Sequence, residues 1–174
     1  MALRPARVYR PWKRSYSRVA PSTPRKGYVK GVPGSKLHLF EMGNSKGSFD
    51  LKLSIVSQGQ VQIRHNALEA GRIAAANYLR KHIEEKNFFL KVRVFPHQVM
   101  REHAQAAIAQ ADRFYDGMSH PFGKPSGTAA RVKIGQSIIT ACVNKENIVV
   151  AKEALRRAAA KMPVHCRIID EAQS

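Results

Sequence analysis

Short stretches in which apolar and polar residues alternate recur along the chain, and this period of two predicts β-strands. The stretches 36–40 and 49–55 alternate in this way, and the glycines between them favour a hairpin-like link. A short third strand is predicted at 61–63. Residues 129–143 have the same character, but Gly135 in their middle predicts a turn or bulge that divides them into two strands.

Another alternating stretch, residues 88–95, has one basic face. Lys91 and Arg93 fall opposite its apolar residues, because successive side chains of a strand point to opposite faces. Pro96 lacks a backbone N–H group and is expected to end this strand or to confine it to a sheet edge. The pattern therefore predicts a strand with an apolar face toward the core and a basic face away from it.

Apolar residues recur every three or four positions in two other stretches, which predicts two amphipathic α-helices. The first helix is expected to follow Asn66, a good N-cap residue, with Glu69 completing a capping box. The second is expected to follow Asn144 and to end before Pro163, since helices often stop just ahead of a proline.

A long loop is predicted between the strand at 88–95 and the strands within 129–143. Residues 116–127 contain three glycines and two prolines, which disfavour both helix and strand, although the alanines of 104–111 favour a short helix. A last strand is predicted at 164–169. The order of strands, helix, strand, long loop, strands, helix and strand predicts an α+β fold, a two-layer sandwich of a mostly antiparallel sheet packed by two helices.

The N-terminal part of the chain has a different character. Residues 1–40 carry ten basic residues and five prolines, and the first carboxylate is Glu41. Prolines and like charges keep a chain extended, so we expect residues 1–34 to form a basic arm. Residues 35–174 are expected to form a single domain with a mobile loop at about 102–127. A disordered basic tail is the alternative, but the arm also carries aromatic residues that are suited to stacking on bases.

Charge narrows the range of partners. The chain has 30 basic and 12 acidic residues, a net charge of +18, and such a surplus is best neutralised by a polyanion. No apolar run approaches the roughly 18 residues that a membrane span needs, and the basic N-terminus is not followed by the apolar stretch of a secretory signal. We therefore expect a nucleic acid as partner and no membrane.

The motifs of enzymes and metal sites are weak. The spacing of glycines and lysine in 117–124 fails the phosphate-binding pattern, and acidic residues are too scarce for acid–base chemistry. Cys142 and Cys166 are far apart and are expected to be reduced, half-buried thiols. The seven histidines are scattered and are expected to face solvent or RNA. The sequence thus predicts no catalytic residue, cofactor or metal.

Several runs, spread over nearly the whole chain, jointly resemble the large-subunit ribosomal protein family called L-sixteen in bacteria and L-ten-e in archaea and eukaryotes. The runs are RPARVYR at 4–10, ALEAGRI at 67–73, RVFPH at 93–97, FGKPSGT at 122–128, ARVKIGQ at 130–136 and EALRRA at 153–158. The RPAR start and the FGKP loop are similar to the archaeal and eukaryotic branch, and the absence of a basic C-terminal tail favours the archaeal side. His120 and Pro121 depart from the family pattern and would stiffen the loop tip.

This resemblance implies an α/β sandwich that lies in the large subunit beside the tRNA corridor. It implies contact with large-subunit rRNA, with 5S rRNA, A-site tRNA and neighbouring large-subunit proteins nearby. It also implies that the loop at about 102–127 points toward the peptidyl transferase centre, where RNA carries out the chemistry. The residues of the loop that would face tRNA and this centre are Arg113, Gly117, Met118, Phe122, Gly123 and Lys124.

Charge, aromatic content and resemblance together predict a set of rRNA-binding residues on the arm, one strand face and one helix flank. The set is Arg4, Arg7, Tyr9, Arg10, Trp12, Lys13, Arg14, Arg18, Arg25, Lys26, Lys91, Arg93, Arg131 and Arg156. We expect a structural constituent of cytoplasmic ribosomes that helps to position tRNA near the A site and is neither an enzyme nor a homo-oligomer. The alternatives are a general basic nucleic-acid-binding protein, a transient ribosome assembly factor and an enzyme that modifies RNA.

Overall fold

The computed structural model describes residues 4–12, 29–103 and 123–171. Within these ranges the chain forms eight β-strands and two α-helices, besides short 3-10 turns. The strands are β1 (Glu41–Gly43), β2 (Leu51–Ser57), β3 (Val61–Arg64), β4 (Phe88–Val92), β5 (Gln98–Glu102), β6 (Lys124–Val132), β7 (Ser137–Val143) and β8 (Cys166–Glu171). The helices are α1 (His65–His82) and α2 (Ile148–Ala159).

The strands form two antiparallel sheets. The larger has the order β1-β4-β7-β2-β8 and the smaller the order β3-β6-β5. Helix α1 contacts α2 and strands of both sheets, while α2 contacts β2, β7 and β8. The predicted α+β fold, with two helices on antiparallel strands, is therefore confirmed, although the strands divide between two sheets.

The division occurs at the predicted turn between β6 and β7. Gly135 adopts a positive φ of 78°, a conformation that costs glycine little because it has no Cβ atom. The chain leaves the smaller sheet at Val132 and enters the larger one at Ser137. Alternation along the sequence predicts both strands but does not say that consecutive strands join different sheets.

One large apolar core lies between the helices and the sheets. Phe88 is its largest fully buried side chain, and Leu53, Leu79 and Leu155 are also fully buried. Glycine lets the helices approach closely: a Cβ atom at Gly71 would lie 2.5 Å from the Cε atom of Met162. The apolar faces predicted for both helices are therefore the faces that the protein buries.

The first predicted strand and its hairpin link are wrong. Residues 36–40 are not part of a strand, and β1 begins only at Glu41. Strand β1 pairs with β4, with Glu41 opposite Lys91, whereas β2 pairs with β7 and β8. Gly43 explains the short strand, because its φ of 86° turns the chain and a Cβ atom there would collide with the carbonyl oxygen of Phe88.

The predicted side-chain caps of both helices are also wrong. Helix α1 begins at His65, before Asn66, and no side chain caps its N-terminus. Glu69 instead receives two hydrogen bonds from the guanidinium of Arg72, at 2.5 and 2.8 Å. Asn144 precedes a 3-10 turn, so that α2 begins only at Ile148. The predicted caps do not form, because Glu69 pairs with Arg72 and because a 3-10 turn separates Asn144 from α2.

The predicted loop at 102–127 is shorter than expected at both ends. Glu102 belongs to β5 and is opposite Lys124, the first residue of β6. The glycine and proline content of 124–127 favours a loop, but backbone pairing with β5 holds these residues in a strand. The short helix predicted at 104–111 and the predicted mobility of 104–122 lie outside the described residues. The division into arm and domain at residue 34 stays a prediction.

Candidate nucleic-acid interface

Residues 4–12 lie against the smaller sheet and cover its open edge. Strand β3 is an edge strand, and an edge exposes unpaired backbone groups. The backbone N–H of Gln62 donates to the carbonyl of Arg10 at 3.0 Å, and the side-chain amide of Gln62 donates to the carbonyl of Tyr9 at 3.0 Å. Because Gln62 is only 2% exposed, the N-terminal segment is fixed to the sheet by buried hydrogen bonds.

Tyr9 fastens the segment to the other edge of the same sheet. Its side chain is 6% exposed and forms a small apolar cluster with Met100 and Ala129. Its hydroxyl donates to the Oε2 atom of Glu102 at 3.0 Å. Burial, with a smaller contribution from Glu102, raises the pKa of Tyr9. The structure differs here from the expectation that Tyr9 stacks on a base, since its ring packs inside the protein.

Glu102 also holds the first residue of this segment. Its Oε1 atom receives a hydrogen bond from the Nε atom of Arg4 at 2.5 Å, and this bond raises the pKa of Arg4. The guanidinium of Arg64 donates to the carbonyl of Arg4 at 2.8 Å and lies 5.8 Å from the centre of the Tyr9 ring. One carboxylate and two buried side chains therefore anchor a segment that is otherwise basic and exposed.

The anchored segment presents an exposed basic surface. Arg7 and Arg10 are exposed, and neither forms an ion pair among the described residues. Trp12 is half-buried, and the guanidinium of Arg131 lies 5.5 Å from the centre of its ring. Arg131 also donates to the Oε1 atom of Gln62 at 3.1 Å. We call Arg4, Arg7, Arg10, Trp12 and Arg131 the arm surface.

The start of β6 lies near Arg4, at one end of the arm surface. Lys124 is exposed and is opposite Glu102, the residue that binds Arg4. Gly123 is one of the residues expected to face tRNA, and within the protein it allows a close approach of two backbone segments. A Cβ atom at Gly123 would lie 2.6 Å from the backbone nitrogen of His103. Arg101 donates to the carbonyl of Gly123 at 3.1 Å and strengthens this contact.

The basic face of β4 lies on the larger sheet. Lys91 pairs with Glu41 at 2.5 Å, whereas Arg93 is exposed just beyond the strand. Phe95 is 52% exposed and stacks on Phe40, with 5.3 Å between ring centres and 15° between planes. Sequence reasoning missed this aromatic pair. The signal was present, because the alternation that places Arg93 on the outer face also places Phe95 there.

Arg156 lies on the exposed side of α2, where it pairs with Glu153. The carboxylate receives bonds from Arg156 at 2.7 and 2.8 Å and from the Nε atom of Arg157 at 2.9 Å. These bonds lower the pKa of Glu153 to about 2. The guanidinium of Arg157 also lies 4.1 Å from the centre of the Tyr78 ring on α1. Arg157 and Tyr78 were not among the predicted site residues.

The structure therefore brings part of the predicted set together and separates the rest. The five residues of the arm surface lie on the smaller sheet, where Arg4 is closest to Lys124 through Glu102, whereas Lys91 and Arg93 lie on the larger sheet and Arg156 lies on a helix. Nine predicted residues fall outside the described ranges. They are Lys13, Arg14, Arg18, Arg25, Lys26, Arg113, Gly117, Met118 and Phe122.

His65 and the two cysteines lie wholly or partly inside the fold. His65 is 7% exposed, and its Nδ1 atom accepts a hydrogen bond from the backbone of Lys36 at 2.7 Å, so the expectation that it faces solvent or RNA is wrong. Burial, with nearby positive charge, lowers the pKa of His65. Cys142 and Cys166 are free and half-buried as predicted, and burial raises the pKa of both thiols.

Among residues 4–12, 29–103 and 123–171, no group of three histidine, cysteine or acidic side chains is placed to hold a metal ion. No helix in the same ranges has the length and apolar character to cross a membrane.

Comparison with known proteins shows which family this chain is similar to. Residues 16–169 match the family model described as Ribosomal protein L16p/L10e. The chain is 48% identical over 169 residues to large ribosomal subunit protein uL16 of Staphylothermus marinus, which covers 97% of this chain and 94% of the relative. It is 45% identical over 171 residues to the uL16 protein of Archaeoglobus fulgidus, with coverages of 98% and 94%. The uL16 protein of Methanococcus maripaludis is 46% identical over 170 residues, with coverages of 97% and 94%.

Proposed function

The chain belongs to the L16p/L10e family of ribosomal proteins, and from this premise we propose that it binds large-subunit rRNA and helps to position tRNA near the A site. Its relatives are proteins of the large ribosomal subunit, and the chain is accordingly a structural component of that subunit and not an enzyme. The proposal concerns how it holds RNA and which of its surfaces do so.

The observation that carries the proposal is the anchored arm surface. Arg7 lies between the anchored residues Arg4 and Tyr9, and the carbonyl of Arg10 accepts a hydrogen bond from buried Gln62, so the backbone that carries both arginines is fixed before any partner binds. A group that is ordered in advance loses less conformational entropy on binding. Exposed guanidinium groups on an anchored backbone, in a chain of net charge +18, are suited to the phosphates of a folded RNA.

The aromatic side chains add a second kind of contact. Folded RNA is recognised by its shape, its phosphates and its unstacked bases, which bind to aromatic rings and arginine planes. Trp12 offers a ring beside the guanidinium of Arg131, and Phe95 offers an exposed ring that stacks on Phe40, two residues after the exposed Arg93. We assign the phosphates to the arm surface and to Arg93, and stacked bases to Trp12 and Phe95.

The segment between β5 and β6 supplies the part of the proposal that concerns tRNA. Family membership supports a position for residues 104–122 near tRNA and the peptidyl transferase centre, with Arg113, Met118 and Phe122 as contacts. Lys124 is exposed where β6 begins and extends the basic surface toward this segment. 5S rRNA and neighbouring large-subunit proteins are further proposed partners.

Neutralising the arm surface tests the proposal. In the Arg7→Gln/Arg10→Gln variant, binding of purified archaeal large-subunit rRNA is measured by filter retention between 50 and 200 mM KCl. Each lost phosphate contact lowers the slope of log K against log salt by about 0.7–0.9, so the pair should lower it by about 1.4–1.8. The Lys46→Gln/Lys145→Gln variant removes the same charge from exposed positions away from this surface and should leave the slope almost unchanged. Equal slopes for the two variants would refute the assigned surface.

A further inference from the structure

The C-terminal halves of α1 and α2 meet in an open groove of about 600 Å³ that the rRNA-binding set above does not include, apart from Arg156. Its lining combines small residues, four basic residues and one tyrosine. The lining residues are Ala74, Asn77, Tyr78, Lys81, Arg156, Arg157, Ala160 and Lys161. We call this the helix groove.

The charge of the helix groove is not balanced within the protein. Four cations line it, and Glu153 is the carboxylate that two of them share. Lys81 and Lys161 are exposed and take part in no ion pair among the described residues. Like charges held this close repel one another, and a bound polyanion removes that cost.

Glu153 orients the two arginines without using all their donors. A guanidinium has five N–H groups. Glu153 engages the Nε and Nη2 atoms of Arg156 but only the Nε atom of Arg157, whose plane also lies 4.1 Å from the centre of the Tyr78 ring. Both side chains stay more than half exposed, at 70% and 51%. The groove therefore holds pre-oriented forks of the kind that bind phosphate oxygens.

Basic residues near helix C-termini also have a simpler role, because they offset the negative end of the helix dipole. That role places cations along the last turn of each helix separately. It does not require the last turns of two helices to direct their cations into one concave surface, and it does not require the Glu153 bridge. The convergence of these groups indicates a ligand.

The helix groove lies close to the arm surface. A second depression is lined by Arg10 on one side and by Ala159 and Ala160 on the other. Ala160, just after the end of α2, lines both depressions. Arg10 on one side and Arg157 and Lys161 on the other are therefore close together in space. An extended polyanion can therefore contact both surfaces at once.

From this geometry we infer that the helix groove is a second RNA site, which binds the phosphate backbone of the rRNA that the arm surface also holds. The inference rests on the proposed function, because it takes rRNA as the partner. Lys81 and Lys161 bind phosphates as point charges, and Arg156 and Arg157 bind them with oriented N–H groups. A protein with two such surfaces joins two stretches of RNA backbone.

The test compares three variants of the full chain, each with two charges removed. Lys81→Gln/Lys161→Gln alters the helix groove, Arg7→Gln/Arg10→Gln alters the arm surface, and Lys46→Gln/Lys145→Gln is the matched control. The probe is a fluorescein-labelled RNA duplex of 20 base pairs, and anisotropy is measured from 50 to 200 mM KCl. Circular dichroism and urea unfolding check that each variant folds like the parent chain.

The groove variant is expected to lower the slope of log K against log salt by about 1.8, since each phosphate contributes about 0.9, while the control changes it little. If the groove variant binds RNA like the control while the arm variant binds more weakly, the helix groove is not an RNA site, and the proposed function is unaffected. If neither the arm nor the groove variant differs from the control, both ideas fail. Poly-glutamate that competes with the duplex on the parent chain, but not on the groove variant, would assign the groove to an acidic protein instead.

Discussion

Replacing Glu102 with alanine should release the N-terminal segment from the smaller sheet while the core stays folded. The carboxylate is the shared acceptor for Arg4 and for the hydroxyl of Tyr9, so a single substitution removes both bonds. The backbone bonds from Gln62 to the segment remain, but they then hold it alone.

The size of the effect follows mainly from Tyr9. A hydrogen bond to a charged group contributes about 1.5–3 kcal/mol, and the nearly buried hydroxyl of Tyr9 donates such a bond. The ion pair with Arg4 is exposed and adds little, since solvent screens it. A loss of about 1.5–3 kcal/mol corresponds to a roughly ten- to hundredfold larger population in which the segment is detached.

Amide hydrogen exchange at Gln62 measures this population. Its N–H group donates to Arg10 of the docked segment, so it becomes free to exchange when the segment detaches. Exchange at Gln62 should accelerate about ten- to hundredfold, whereas Leu53 in β2, an interior strand of the larger sheet, should keep its rate. Glu41→Ala removes a comparable ion pair, with Lys91, and should not affect Gln62. Unchanged exchange at Gln62 in a folded Glu102→Ala variant would refute this account of the anchor.

Three further predictions concern stability, measured as the free energy of unfolding in urea. Gly123→Ala should lose about 1–3 kcal/mol through steric overlap with β5, whereas Gly34→Ala, which has open space, should be neutral or slightly stabilising; equal effects would contradict the packing role. The pKa of His65 is lowered by burial, so the unfolded chain takes up the proton first and stability should fall as pH drops below about 6.5; His65→Asn should flatten this dependence. The hydrogen bond from Lys52 lowers the pKa of Glu171 to about 2, so the stabilising effect of this carboxylate should be lost as pH falls from about 4.5 toward 2. If the free energy of unfolding falls with pH equally in the parent chain and in Glu171→Gln, the prediction is contradicted.

Sequence periodicity predicted the positions of most strands and helices well, but it predicted the pairing of the strands poorly. The strands at β2, β4 and β7 and the buried faces of both helices follow from local alternation, because burial of one face dominates there. The hairpin prediction failed because β1 crosses to β4, a pairing between distant parts of the chain that a local pattern does not encode. The capping prediction failed because an ion pair engaged Glu69.

The family and its archaeal relatives were predicted from motifs and are confirmed by the matches along the chain. The site could be predicted only in outline. Charge identified Arg7 and Arg10, but composition alone does not show that Tyr9 is buried as their anchor, since that depends on Glu102, more than ninety positions away. The groove arginine Arg157 was missed because its role requires Tyr78 on another helix.

The most direct test of the central claim is co-sedimentation of the tagged chain with large ribosomal subunits on sucrose gradients at 50 and 200 mM salt. About 6–10 phosphate contacts alone lose roughly 10³–10⁵ in affinity over this range. An integral component held by shape as well as charge should remain with the large subunit at near one copy per particle at both concentrations. Loss of the chain at 200 mM, or its spread over small subunits and free RNA, would contradict the account.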